Sequence, residues 1–317
     1  MAYTDPRSRW VDLGIPVRYL DFGGPPGAPV IVAVHGLGGA AINWLAIAPA
    51  LTAKYRVLAP DLAGHGLTQG HGHSTSVAAN RRLLDRFLAS VTGGPVMLMG
   101  NSMGGMIALL QAGTEPSTVA GLILLDPALP FLPAVPDPVV AAVFAFYTAP
   151  LLGPALVAQR HRLGPDRLVS AVLRFCCVDP SRVPADVVAE HVILTRERAA
   201  FLGADRDLIH SARSVVATAR GGGRHSAGYR AAIRAVGVPV LVIHGEQDRL
   251  VPVSASRAIV RRHPNWQLVV LPMVGHVPQL EAPAQTAEIV ERWLTGPGRA
   301  AAESAAHPLI DEGSSAS

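Results

Sequence analysis

Cysteine is nearly absent from this chain: there are two, Cys176 and Cys177, and they are adjacent. Neighbouring cysteines make a poor staple, so two reduced thiols and no disulfide framework are expected. Aromatic residues supply only 5% of the chain, so the hydrophobic half of its 317 residues is mostly aliphatic. That is ample for one large α/β domain, or for such a domain carrying an insertion. Charge of one sign is not in large excess, with 27 Lys and Arg against 23 Asp and Glu. No dense basic run occurs, which argues against nucleic acid as a partner. No P-loop or G-x-G-x-x-G fingerprint is present, and no cofactor is implied. His71-Gly72-His73 lacks a third ligand and reads as a solvated loop, so no metal site is expected. Met1–Arg9 is polar, without the apolar core of a signal peptide, and the expected location is the cytoplasm. One long uncharged run exists, Pro138–Gln159, but Pro150, Gly153 and Pro154 interrupt it. It reads first as apolar helices lining a pocket, second as a weak membrane-surface element, and third as a transmembrane span.

What is present is an alternation. Short apolar runs at Val30–Val34, Tyr55–Ala59, Val96–Met99 and Ala120–Leu125 read as buried strands. Helical spacing falls between them at Asn43–Ala53, Ser76–Val91 and the stretch after Ser102. Strands alternating with helices imply a mostly parallel sheet with crossovers on both faces. The rhythm breaks at Ala128 and resumes with strands Val238–His244 and Trp266–Leu271 and a closing helix Ala284–Leu294. The expected organisation is a body of residues 1–127 and 229–295 and a helical insertion of residues 128–228. Gly221-Gly222-Gly223 reads as a flexible return, and 296–317 as a disordered tail rich in Ala, Ser and Gly.

One strand runs straight into chemistry. Val96–Met99 is followed by Gly100-Asn101-Ser102-Met103-Gly104, which fits G-x-S-x-G, and then by a helical run. A strand that turns at once into a helix strains the central serine and leaves no room for side chains at the flanking glycines. The alternative reading is an ordinary strand–helix turn with a capping serine. A serine hydroxyl attacks only when a base takes its proton, and that base needs a carboxylate to hold its tautomer. Two later strands end in suitable residues, Gly245-Glu246-Gln247-Asp248 and Gly275-His276. Asp126 also follows a strand and stays open as the acid.

With the order Ser102, Asp248, His276, the chain resembles the α/β-hydrolase superfamily in its capped esterase, lipase and C–C hydrolase branch. The resemblance runs from about Val17 to Leu294. It rests on His35-Gly36-Leu37-Gly38, Asp61 to Thr68, Gly100 to Gly105, Gly245 to Asp248 and Gly275-His276. It implies an α/β-hydrolase fold with a helical cap, Ser102 as nucleophile, His276 as general base and Asp248 as the orienting acid. It also implies an oxyanion hole from the backbone N–H groups of Leu37 and Met103. Gly36, Phe131, Phe144, Phe146 and Val277 are the expected lining of the substrate pocket. The implied reaction is cleavage of a small lipophilic or acyl ester through an acyl-serine. C–C hydrolase, lyase or perhydrolase chemistry on the same triad stays open, as does a ligand-binding receptor on the same fold. Serine at the elbow, where dehalogenases and epoxide hydrolases carry aspartate, argues against those two reactions. The oligomeric state is left open.

Overall fold

The computed structural model describes residues 5, 7–130, 137–149, 161–220, 223–307 and 309–310. Eight strands form one sheet: β1 (Ser8–Asp12), β2 (Pro16–Gly23), β3 (Val30–Val34), β4 (Arg56–Pro60), β5 (Val96–Asn101), β6 (Val119–Leu125), β7 (Val240–Gly245) and β8 (Trp266–Leu271). Their spatial order is β1-β2-β4-β3-β5-β6-β7-β8. The first two strands join antiparallel, and every pair from β4 and β3 to β8 is parallel. Strands β3 and β5 are buried at every residue, as unbroken apolar runs in a doubly covered sheet should be.

The helices are α1 (Ala48–Leu51), α2 (Val77–Val91), α3 (Met103–Thr114), α4 (Pro138–Thr148), α5 (Pro165–Cys176), α6 (Ala185–Arg198), α7 (Ala204–Ala219), α8 (Arg224–Ala235), α9 (Val253–Val260), α10 (Pro278–Glu281), α11 (Pro283–Thr295) and α12 (Arg299–Ser304). One core packs α2, α3, α8 and α9 on one face of the sheet; the other packs α1, α11 and α12 on the opposite face. Helix α2 illustrates why these positions become helical. Ser76 caps it by accepting from the Ala79 N–H at 3.2 Å. Val77, Leu83, Leu84, Phe87 and Leu88 then fall on one buried face.

Three sequence expectations need correction. The single helix expected over Asn43–Ala53 is a 3₁₀ turn at Ala41–Trp44 followed by α1. Pro49 sits in the first turn of α1, where its missing N–H costs nothing; inside one continuous helix it would meet the carbonyl of Leu45. The boundary expected at residue 228/229 falls inside α8. That helix runs unbroken from Arg224 to Ala235 and lies so close to α3 that a Cβ on Gly113 would run into the Ala232 backbone. Of the tail expected to be disordered over residues 296–317, Arg299–Ser304 instead forms α12, whose Ala301 and Ala302 are buried, while 308 and 311–317 lie outside the described residues. The Val30 N–H donates to the Ala305 carbonyl at 2.9 Å, and the Ile310 N–H to Val91 at 3.2 Å. An alanine-rich segment resembles a linker by composition, yet its small side chains let it lie flat against a sheet. Among the described residues no helix is long and apolar enough to cross a membrane.

Candidate active site

The carboxyl ends of β5, β6, β7 and β8 meet at one edge, the place where open parallel sheets put their ligands. Ser102 follows β5 with φ 53° and ψ −115°, a backbone state that L-residues rarely adopt. The two flanking glycines make the turn feasible. A Cβ on Gly100 would stand 2.6 Å from the carbonyl carbon of Gly104, and one on Gly104 would collide with the Val34 oxygen. Gly104→Ala is therefore expected to destabilise the fold by about 3 kcal/mol, read as a fall in melting temperature. The turn is pinned from both sides: the Ser102 N–H donates to Leu125 at 3.0 Å, and its carbonyl accepts from Ala128 at 3.0 Å and from Met106 at 3.1 Å.

Gly36 abuts this serine, since a Cβ there would lie 3.1 Å from Ser102 Cβ. The loop carrying it is held by His35. The Leu62 N–H donates to His35 Nε2 at 3.0 Å, so Nδ1 carries the proton and donates to the Gly36 carbonyl at 2.8 Å. Burial lowers the pKa of this imidazole, which matches its neutral, buttressing role. Asp61 anchors the same loop by accepting from the Ala41 N–H at 2.6 Å and the Leu67 N–H at 2.8 Å. Its charge is met by Arg18 at 3.2 Å, both side chains fully buried. The N–H groups of Leu37 and Met103 have no hydrogen-bond partner among the described residues. Met103 opens α3, where a helix leaves its first N–H groups unused.

His276 follows β8, and its Nδ1 lies 2.7 Å from Asp248 Oδ2, a separation that fits a shared proton. The other Asp248 oxygen accepts from the N–H groups of Leu250 at 2.8 Å and Val251 at 3.1 Å. Burial opposes ionisation of Asp248, but His276 and His244 outweigh it and hold the carboxyl well below the usual range. Asp126 makes no hydrogen bond to His276. It is fully buried and accepts from the Gly245 N–H at 2.9 Å. Burial, helped by the nearby Asp248 charge, pushes its pKa well above that of an ordinary carboxylate despite His244. His244 lies 3.5 Å from Asp126 and 3.4 Å from Asp248, while its Nε2–H donates to the Val251 carbonyl at 2.8 Å. Burial disfavours its charged form, and the two carboxyls raise its pKa in spite of that. One ligand atom each from Asp126, Asp248 and His276 lies within 4.8 Å of the others. The 2.7 Å contact already accounts for the imidazole and Asp248 as a hydrogen-bonded pair.

Ser102 Oγ and His276 Nε2 make no hydrogen bond here; such bonds often tighten only with substrate. What links the two residues is Asn101, the elbow residue to which the G-x-S-x-G pattern assigns no role. Its Nδ2 donates to the Leu125 carbonyl at 3.1 Å and to the His276 carbonyl at 3.0 Å. Val277, beside the histidine, is buried, and Phe144 is half-buried on α4. Phe131 and the side chain of Phe146, both expected in the pocket, lie outside the described residues. Leu208 of α7 reaches over Gly38, 3.6 Å from where a Cβ would stand, so an inserted helix covers the Gly36–Gly39 loop. A cavity of about 250 Å³ is lined by Gln247, Arg249 and the residues Arg174 to Val178 at and just past the end of α5. Cys176 borders it, and burial pushes its thiol up to about 12, out of reach of thiolate chemistry at neutral pH.

A family model described as the alpha/beta hydrolase fold matches residues 29–283. The chain is 30% identical over 285 residues to the dihydrolipoyllysine-residue acetyltransferase component of the acetoin cleaving system of Pseudomonas putida. That alignment takes in 85% of this chain and 64% of the relative, so the chain spans less than two thirds of the relative's length. It is 28% identical to the pimeloyl-acyl-carrier-protein methyl ester esterase of Aromatoleum aromaticum, with 84% of this chain and 99% of that protein aligned. A solved candidate lipase from Acinetobacter baumannii AYE superposes with a TM-score of 0.73 at 24% identity, covering 92% of each chain. That structural likeness speaks to the fold.

Proposed function

This chain belongs to the alpha/beta hydrolase fold family, and we propose that within it the chain cleaves carboxylic esters through an acyl-serine on Ser102. The observation that carries the proposal is the 2.7 Å contact between His276 and Asp248, set at the same sheet edge as a serine with positive φ. His276 takes the Ser102 proton at Nε2 as Oγ bonds to the ester carbon, and Asp248 stabilises the imidazolium that results. The negative oxygen of the tetrahedral intermediate is met by the N–H groups of Leu37 and Met103. Removing one such donor typically costs roughly 10²–10³ in kcat. His276 then returns the proton to the departing alkoxide, and a water molecule repeats the sequence to free the acid.

The uncharged α4, with Val139 56% exposed, supports a lipophilic acyl group and a weak affinity for membrane surfaces. Relatives named as an esterase and a lipase favour the ester reading. A second reading keeps the acyl-serine and changes its acceptor to a thiol or alcohol; the relative named as an acetyltransferase component favours it.

Treatment with a fluorophosphonate, followed by peptide mapping, is expected to give one adduct, on Ser102, and to end hydrolysis of short p-nitrophenyl esters. An adduct elsewhere, or ester turnover that survives full labelling, removes the assignment. Adding a thiol or alcohol acceptor during turnover separates the two readings by the product formed.

A further inference from the structure

We infer that Glu281 is a positioning residue for His276, and that it bolts the histidine loop to the segment descending from the inserted helices. Glu281 ends the short α10, five residues after His276, and is 2% exposed. Its Oε2 accepts from the Gly275 N–H at 2.8 Å. Its Oε1 accepts from the N–H groups of Val178 at 3.0 Å and Asp179 at 2.8 Å, and from Arg182 Nη2 at 2.5 Å. Arg182 also donates to the Met273 carbonyl, and the His276 N–H donates directly to the Cys176 carbonyl at 2.7 Å. The loop of residues 273–276 is thus tied to residues 176–182 at two points directly, Met273 through the Arg182 side chain and His276 backbone to backbone, and at Gly275 through Glu281. Gly275 permits the approach, since a Cβ there would stand 3.1 Å from Cys177 Cα.

A buried carboxylate that takes four donors is satisfied on both oxygens, with Arg182 supplying the opposite charge. Glutamine has the same shape but one acceptor end. Whichever way its amide turns, the NH₂ group faces an N–H. Three donors crowd Oε1 and one meets Oε2, so the oxygen goes to the three and the NH₂ confronts Gly275. The defect is delivered to the peptide just before the imidazole. This inference rests on His276 being the base.

The test is Glu281→Gln, read by kcat and KM on a short p-nitrophenyl ester and by the low-field proton resonance of the His276–Asp248 hydrogen bond. A misplaced catalytic group costs about 10²-fold, so kcat is expected to fall by that order with KM nearly unchanged, and the resonance is expected to shift or broaden while the protein stays folded. Wild-type kcat with an unmoved resonance overturns the inference. Should Glu281→Gln not fold, Arg182→Met decides, because it strips the bolt from the more exposed side. A kcat loss of about tenfold supports the inference, and none overturns it. The resonance reports the hydrogen bond whether or not ester is turned over. A wild-type protein that hydrolyses nothing therefore sinks the esterase reading, while the resonance still judges the bolt.

Discussion

Ser102→Ala is expected to remove ester turnover, by roughly 10⁶-fold in kcat, without loss of the fold. The size follows from the role: no other hydroxyl stands at the elbow between Gly100 and Gly104. The intact fold follows from the geometry. Ser102 is held by its backbone, through Leu125, Ala128 and Met106, and its Oγ has no hydrogen-bond partner to strand among the described residues. Alanine carries the same Cβ at the same positive φ, so no strain is added. Steady-state kinetics and a melting curve check both halves. Turnover at the wild-type rate in the alanine variant ends the nucleophile assignment, and a large fall in melting temperature ends the argument about backbone support.

The second large effect separates two buried aspartates. Asp248→Asn is expected to cost up to ~10⁴ in kcat with near-native melting. The reason is the way the side chain is already committed. One oxygen accepts from Leu250 and Val251, so an asparagine keeps its carbonyl there and turns its NH₂ toward His276. The imidazole must then accept at Nδ1 and carry its proton at Nε2, where it cannot act as a base. Asp126→Asn is expected to leave kcat within a few-fold and to cost about 1 kcal/mol. Burial pushes the Asp126 pKa upward, and its hydrogen bond from the Gly245 N–H is one that an asparagine carbonyl can also accept. The pH dependence has a sign. A carboxyl whose folded pKa is raised contributes stability below its unfolded value, near 3.9, and gives it up as pH climbs through the folded value. The melting gap between wild type and Asp126→Asn is therefore expected to narrow as pH rises. A rate defect in Asp126→Asn with none in Asp248→Asn makes Asp126 the acid.

What could be read in the sequence was whatever local sterics impose on residue type. A turn that buries two backbones together demands glycine, and Gly100 and Gly104 stand at the elbow for that reason. A doubly covered strand demands an unbroken apolar run, and β3 has the bounds its composition implied. The ends of β7 and β8 carry Asp248 and His276, and those two residues meet. Where packing partners are remote, the letters were mute. Glu281 looks like any acid near a helix, yet three of its four partners lie about a hundred residues earlier in the chain. Arg18 and Asp61, 43 residues apart, show nothing of their pairing in either local context. The start of α8 was hidden because its neighbour is α3, far upstream, and the helix Arg299–Ser304 because alanine reads as linker when it is serving as a thin packing layer.

The carbonyl of Cys176 on the His276 N–H has a bearing on how such a molecule diversifies. In a molecule built as two modules, the inserted helices are a replaceable lid and the sheet a fixed engine. Here the join between modules does not coincide with the ends of the insertion. The stretch from Cys176 to Arg182 belongs to the engine by contact although it belongs to the lid by position in the chain. An exchange of the whole lid carries away part of the frame around the histidine. New specificities on this scaffold come more readily by substitution within the lid than by its replacement, unless the incoming lid brings a matching stretch to the same loop.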